Sequence, residues 1–507
     1  MKRNFTNRYI KLPLKAILLS MLIIFICASA FCGCVSAEED VPDVNTWDEL
    51  KTNLTKDAVK QVNLVRDITL TEDKTIEINK SIIIPNDVTL DLGGKEIIVT
   101  GGGSSSFCIR DGGKLTVKNG KITTDDKGYD YLFDVNNGTL IIDNECIIHV
   151  TNSTNGKASP VIYVVGSSSD DPKHSTKVII ENGAEVNGYT YGLAIINNGS
   201  AAYGVDITIN GKVTGNESGV ILKKKSYGSG AITISGNVKK TSGNVPKITI
   251  GKNAILKGST NNNGGGAIYA AGYADWTING GTFFGDDVLS IKSGNFTING
   301  GTFTANGEYY DPAEECGSGS EPTGAAVSIT DNPGYARAIE ITINNGTFIS
   351  KNQSAFFEGL NDGATSNEGA IKSISITGGQ FKTDNESLYP IHIMNLKGKS
   401  VSVTLKDKTP LYPNLNLSAA RWEKDAEGNW TVTLKEDITN LESINLTLID
   451  DSKKATLELN DKKITLSDKK GNLIGWNSTS STGNVIDLKQ IDSTEFKGSK
   501  AYYPLFE

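Results

Sequence analysis

The chain has 507 residues, with 50 basic against 58 acidic side chains, 54 glycines, only 13 prolines and 7% aromatic residues. A net charge of −8 argues against nucleic acid and anionic membranes as primary partners. Long amphipathic helical patterns are nearly absent, which argues against a helical architecture, and the glycines fit many tight turns around short strands.

Residues 1–37 read as a secretory signal peptide. Lys2, Arg3, Arg8, Lys11 and Lys15 form a basic leader, 16–31 is an apolar run, and Val35-Ser36-Ala37 supplies small residues for cleavage. That run is shorter than the roughly twenty residues that span a bilayer. Cleavage is therefore expected rather than anchoring, giving a secreted or cell-surface protein with no stable membrane insertion. Gly33 before Cys34 leaves a lipoprotein reading open, though Phe31 and Cys32 match a lipobox poorly. Without the leader the chain carries 45 basic against 58 acidic residues, a net charge of about −13. Its three cysteines, Cys108, Cys146 and Cys316, are an odd number that forbids complete pairing.

An N-terminal cap is expected over 38–61. Thr46-Trp47-Asp48-Glu49 is a capping box, and Trp47, Leu50 and Leu54 follow at helical spacing. One short helix there would cover the open end of a stack of strands. The strands begin at Val62 and continue through Ile68, Thr75, Ser81 and Val88, alternating apolar with polar residues.

The stretch from Trp276 to Phe303 explains why they continue. Thr277-Ile-Asn-Gly-Gly-Thr-Phe283 returns unchanged as Thr297-Ile-Asn-Gly-Gly-Thr-Phe303, twenty residues later. A β-branched pair, a turn tolerant of positive φ and a Thr-Phe pair form one supersecondary unit. Ordering about twenty residues costs roughly 1–2 kcal/mol each, while each buried Ile or Phe returns about 1.5–3 kcal/mol, so a unit must bury its face on neighbours. The repeat predicts a solenoid over 62–397, each coil two or three short strands. Related triplets start at Leu115, Leu140, Val178, Ile207, Ile232, Ile248, Trp276, Phe296, Ile341, Ile374 and Val401. Only sixteen residues separate Ile232 from Ile248, too few for a coil, so one of them belongs to a different face. Aligning 113–117 with 138–142 at an offset of 25 puts Cys108 opposite Phe133 and Cys146 opposite Lys121. On different sides of the coil, the two cysteines read as small buried residues rather than a disulfide.

Phe283, Phe303, Phe348 and Phe381 follow the turns at matching positions and predict a core aromatic ladder, with Asn279, Asn299 and Asn344 as an amide ladder. Between two coils lies the acidic insertion 308–322, which must project from the stack; Tyr309, Tyr310, Asp311, Glu314 and Glu315 are its candidate ligand-binding residues. The residues of 398–507 form a smaller C-terminal β region. There, 434–439 and 455–464 resemble 65–69 and 88–97, which suggests a partial second copy of the solenoid's opening.

This strand-and-turn pattern resembles the right-handed parallel β-helix of the pectin-lyase-like superfamily, in particular its adhesin-like surface members. The resemblance implies an all-β fold wound right-handedly and a polysaccharide or cell-surface glycan as partner. Gly285-Asp286-Asp287 also resembles the paired-aspartate motif of polygalacturonases, whose carboxylates protonate the leaving oxygen and activate water. The companion Asn-Thr-Asp, Gly-His-Gly and Arg-x-Lys motifs are missing, and His149, His174 and His392 are scattered. Three readings follow: a non-catalytic glycan- or cell-binding module, a pectic-polysaccharide hydrolase or lyase using Asp286 and Asp287, and a passive envelope spacer. The first needs no cofactor; calcium is the ion Asp286 and Asp287 would take if the corner let both reach one site.

Overall fold

The computed structural model describes residues 41–56, 59–70, 82–84, 87–99, 106–124, 131–151, 160–195, 202–215, 229–235, 244–258, 265–308, 323–330, 338–359, 371–385, 388, 390–393 and 400–403. Beyond these it describes residue 426 and the backbone of the strands between 420 and 506. The chain divides into two units, Met1–Pro42 and Asp43–Glu507.

From Asp43 onward the chain winds through three sheets of 13, 11 and 11 strands, every neighbouring pair parallel and each strand pairing with its equivalent one coil away. This is a parallel β-helix. Each coil contributes one strand to each sheet, so the unit has three strands. The repeat lies in register: Trp276 to Ile278 pair with Phe296 to Ile298, and Thr282 to Gly285 with Thr302 to Ala305.

Alternation along each strand builds the core. In the first sheet Leu115, Leu140, Val178, Ile207, Ile248, Trp276, Phe296, Ile341 and Ile374 form one inward row. Thr208, Thr249, Thr277, Thr297 and Thr342 form the row between inward positions, on the outer face. In the second sheet Phe283, Phe303, Phe348 and Phe381 stack with centroids 4.4, 4.7 and 4.6 Å apart and are buried, so the aromatic ladder is core. The amide ladder is present too: Asn299 donates to Asn279 at 3.1 Å and Asn344 to Asn299 at 2.9 Å.

Ile232 resolves the short interval. It belongs to the third sheet, in Ser229–Ile234, while Ile248 lies in the first. The cysteine alignment is corrected by one residue: Cys108 pairs with Asp134 and Cys146 with Gly120. Between these two coils the offset of 25 holds only in the first sheet, where Leu115 pairs with Leu140. Three residues, 111–113, join third sheet to first in one coil, but only two, 137–138, do so in the next. The cysteines still sit in different sheets, both buried and neither in a disulfide, and burial pushes the Cys146 thiol up to about 12.

The helix Trp47–Leu54 forms as its capping box dictates, with Glu49 N–H donating to the Thr46 hydroxyl and Thr46 N–H donating to the Glu49 carboxylate. Trp47, Leu50 and Leu54 are buried, and the Trp47 ring meets Phe107 edge-on at 5.8 Å.

In the C-terminal region Trp430–Leu434 pairs in parallel with Lys454–Glu458, and Ile438–Thr439 with Ile464–Thr465. The partners Val432 and Leu457 correspond to Val62 and Leu90, and Ile438 and Ile464 to Ile68 and Ile97. Both correspondences carry shifts of 370 in the first partner and 367 in the second, the same shifts that align the sequences. Antiparallel strands Ala420–Lys424 and Ser493–Lys497 close this parallel pair on either side, which the opening coils do not do.

Candidate functional site

Asp286 is a one-residue corner between Thr282–Gly285 of the second sheet and Asp287–Ile291 of the third. Its N–H donates to the Gly265 carbonyl at 2.8 Å, and its carboxylate accepts from Gly265 N–H at 3.2 Å, tying the corner to the preceding coil. Asp287 reaches the other way. One of its oxygens, Oδ1, accepts from the N–H groups of Thr323, Gly324 and Ala325 at 2.8, 2.7 and 3.1 Å and from the Thr323 hydroxyl at 3.0 Å. The two carboxylates therefore serve different coils and offer calcium no shared pair. Among the described residues no three His, Cys, Asp or Glu side chains gather as a metal site.

Both aspartates are buried. Removal from water pushes the Asp287 carboxyl up to about 6, against the Lys292 charge and the donors on Oδ1, which favour ionisation. Oδ2 of Asp287 is buried and unpartnered. Polar burial gathers around this segment: Asp286, Asp287, Ser290, Lys292, Ser293, Thr323, Ser328, Ser350, Gln353, Ser354 and Glu358 are all buried. Ser290 and Ser328 are register partners on adjacent coils, and neither hydroxyl has a partner.

Tyr309, Tyr310, Asp311, Glu314 and Glu315 lie outside the described residues, but the chain on either side of them does not. A Cβ on Gly324 would stand 2.6 Å from the Glu308 carbonyl oxygen, and one on Gly307 3.1 Å from the Gly324 Cα. Segment 309–322 therefore leaves and rejoins the coil at one narrow neck. Gly307 N–H donates to the Asp286 carbonyl at 3.1 Å on the outgoing side, while the Asp287 carboxylate holds the return. The aspartate pair therefore contacts both described flanks of the insertion. Of the other aspartate pairs, Asp125-Asp126 lies outside the described residues, and Asp170-Asp171 sits in an exposed turn where Asp171 accepts from Lys173 N–H at 2.9 Å.

A second cluster went unread in the sequence. On the outer side of the third sheet Arg110 forms an ion pair with Asp134, its neighbour one coil on, and the Tyr131 and Tyr163 rings stack at 4.5 Å and 13°. Tyr163 lies in the row of Asp134, and burial together with that carboxylate raises its phenol. Tyr131 and Tyr163 fall 32 residues apart, matching no repeat interval. The signal available was the tyrosines themselves, bulky amphipathic side chains beside an Arg and an Asp.

No protein-family profile, curated protein or solved structure matches the chain.

Proposed function

We propose that this is a secreted or cell-surface protein, related to the adhesin-like members of the pectin-lyase-like superfamily, that binds a glycan without cleaving it. The observation that carries the reading is the neck. The buried carboxylate of Asp287 gathers four donors to hold the return of an acidic, tyrosine-bearing segment against the coil corner. That arrangement suits display of a segment to another molecule. Both aspartates are buried and engaged with backbone amides, which favours a structural role for them over acid–base work on a polymer.

A glycan array with the full chain, in calcium and in chelator, tests the proposal. Binding that falls on deletion of 309–322 supports it, and a chain that binds no glycan in either condition leaves the passive-spacer reading. The raised carboxyl of Asp287 suits a general acid and motivates one alternative, a pectic hydrolase or lyase. Reducing-sugar and unsaturated-product assays on pectic polymers decide it: products abolished by Asp286→Asn and by Asp287→Asn would overturn the non-catalytic reading.

A further inference from the structure

We propose that Tyr131, Tyr163, Arg110 and Asn136 form a binding subsite for a neutral pyranose ring on the outer side of the third sheet. The inference rests on the glycan-binding reading above and assigns to it a place that does not involve the 309–322 segment.

The first observation is exposure. The ring pairs Phe107–Phe133, Trp276–Phe296 and Phe283–Phe303 lie in the core, and in Phe357–His392 the phenylalanine is buried. Among the described residues Tyr131 and Tyr163 are the stacked pair in which neither ring is buried. Leaving two stacked aromatic rings half in water forgoes burial that the core could supply, and such rings mark ligand and partner surfaces. The residue following Tyr163 in its row on the next coil is Ala194, so at that position the sheet sets only a methyl group beside the phenol.

The second observation is charge. Arg110, on the coil before Asp134, has a side chain 43% exposed and an ion pair to a carboxylate that is 7% exposed. The other oxygen of Asp134 and Nε of Arg110 are buried, so the part of the pair open to a ligand is the exposed portion of the Arg110 side chain. Cation and anion cancel, and a patch without net charge selects for an uncharged, hydroxyl-rich ligand over a uronate or phosphate. The outward N–H groups of Arg110 and the half-buried amide of Asn136 beside it in register supply donors and acceptors around the apolar faces of the two tyrosine rings. A pyranose has the same division, with C–H groups on its faces and hydroxyls at its rim.

Calorimetric titration of the full chain with gluco-, manno- and galacto-hexasaccharides, and with oligogalacturonate as the charged comparison, tests the subsite. We expect a neutral hexasaccharide to bind, Tyr163→Ala and Arg110→Ala each to weaken that binding about tenfold or more, and Tyr163→Phe to stay within about twofold. Deletion of 309–322 should leave a residual affinity that Tyr163→Ala removes. Thermal unfolding midpoints matching the parent exclude a folding defect, and Tyr131→Ser replaces any variant whose midpoint falls. Binding abolished by the deletion but untouched by Tyr163→Ala and Arg110→Ala overturns the subsite and leaves the glycan-binding reading standing. Binding of oligogalacturonate alone overturns the neutral ligand class, and binding of no probe overturns the subsite and counts against that reading as well.

Discussion

At the scale of single residues, Asp287 shows how one carboxyl can organise a corner and leave a signature in the pH dependence of stability. Its folded value is about 6 against 3.8 for an unperturbed aspartate, chiefly because burial penalises the charged form. Native protein therefore binds more protons than unfolded chain between those values. The contribution of this group to stability is greatest below the unfolded value, falls as pH rises through about 6, and ends about 3 kcal/mol lower than it would be with an unshifted group. In Asp287→Asn the amide oxygen still accepts the donors on Oδ1, and that fall should disappear, read as flattening of the unfolding midpoint between roughly pH 4 and 7. Asp287→Ala should instead lower the midpoint at every pH, because it leaves the donors of 323–325 buried without an acceptor. Phe303 sits between rings 4.4 and 4.7 Å away, and Phe303→Ala should cost about 3–5 kcal/mol in denaturant unfolding.

Single elements separate what the sequence displays from what it hides. First- and second-sheet strands alternate, and their turns are marked by glycine, so Trp276–Ile278 and Phe283 could be placed from the residues alone. In the third sheet the burial pattern is less regular: every residue of Tyr191–Ile195 and of Asp287–Ile291 is buried, so in those strands burial does not separate an inner from an outer face. Its strands are also separated from their neighbours by corners that range from one residue, at Asp286, to the 21 residues of 306–326, which erases the repeat interval. Tyr131 and Tyr163 fell in that blind region, as did the one-residue error at Cys108. Adjacent glycines in one turn separate in the same way. Gly301 has φ +117°, and a Cβ there would stand 3.1 Å from both the Gly281 carbonyl and the Phe303 ring, whereas the nearest atom to a Cβ on Gly300 is 3.6 Å away. Gly301→Ala should destabilise by about 1–3 kcal/mol and Gly300→Ala by no more than about 0.5, compared by unfolding midpoint. At the N-terminal end Thr46→Ala removes the cap of Trp47–Leu54 and should cost about 1 kcal/mol.

For the molecule as a whole, everything proposed about surface and ligand depends on successive coils lying in register, since the neck and the tyrosine pair are each built from residues of different coils. Thr282, Thr302 and Thr347 stand in one outward row of the second sheet, each paired with the next. Neighbours in that row are about 4.8 Å apart, within reach of a disulfide, and residues two coils apart are not. The most direct measurement is therefore the rate of oxidation in paired cysteine variants built in a background lacking the native cysteines. The account predicts that Thr282→Cys with Thr302→Cys, and Thr302→Cys with Thr347→Cys, cross-link readily, while Thr282→Cys with Thr347→Cys does not. Equal cross-linking of all three pairs, or efficient bridging only between Thr282→Cys and Thr347→Cys, would contradict the stack and every surface assigned to it.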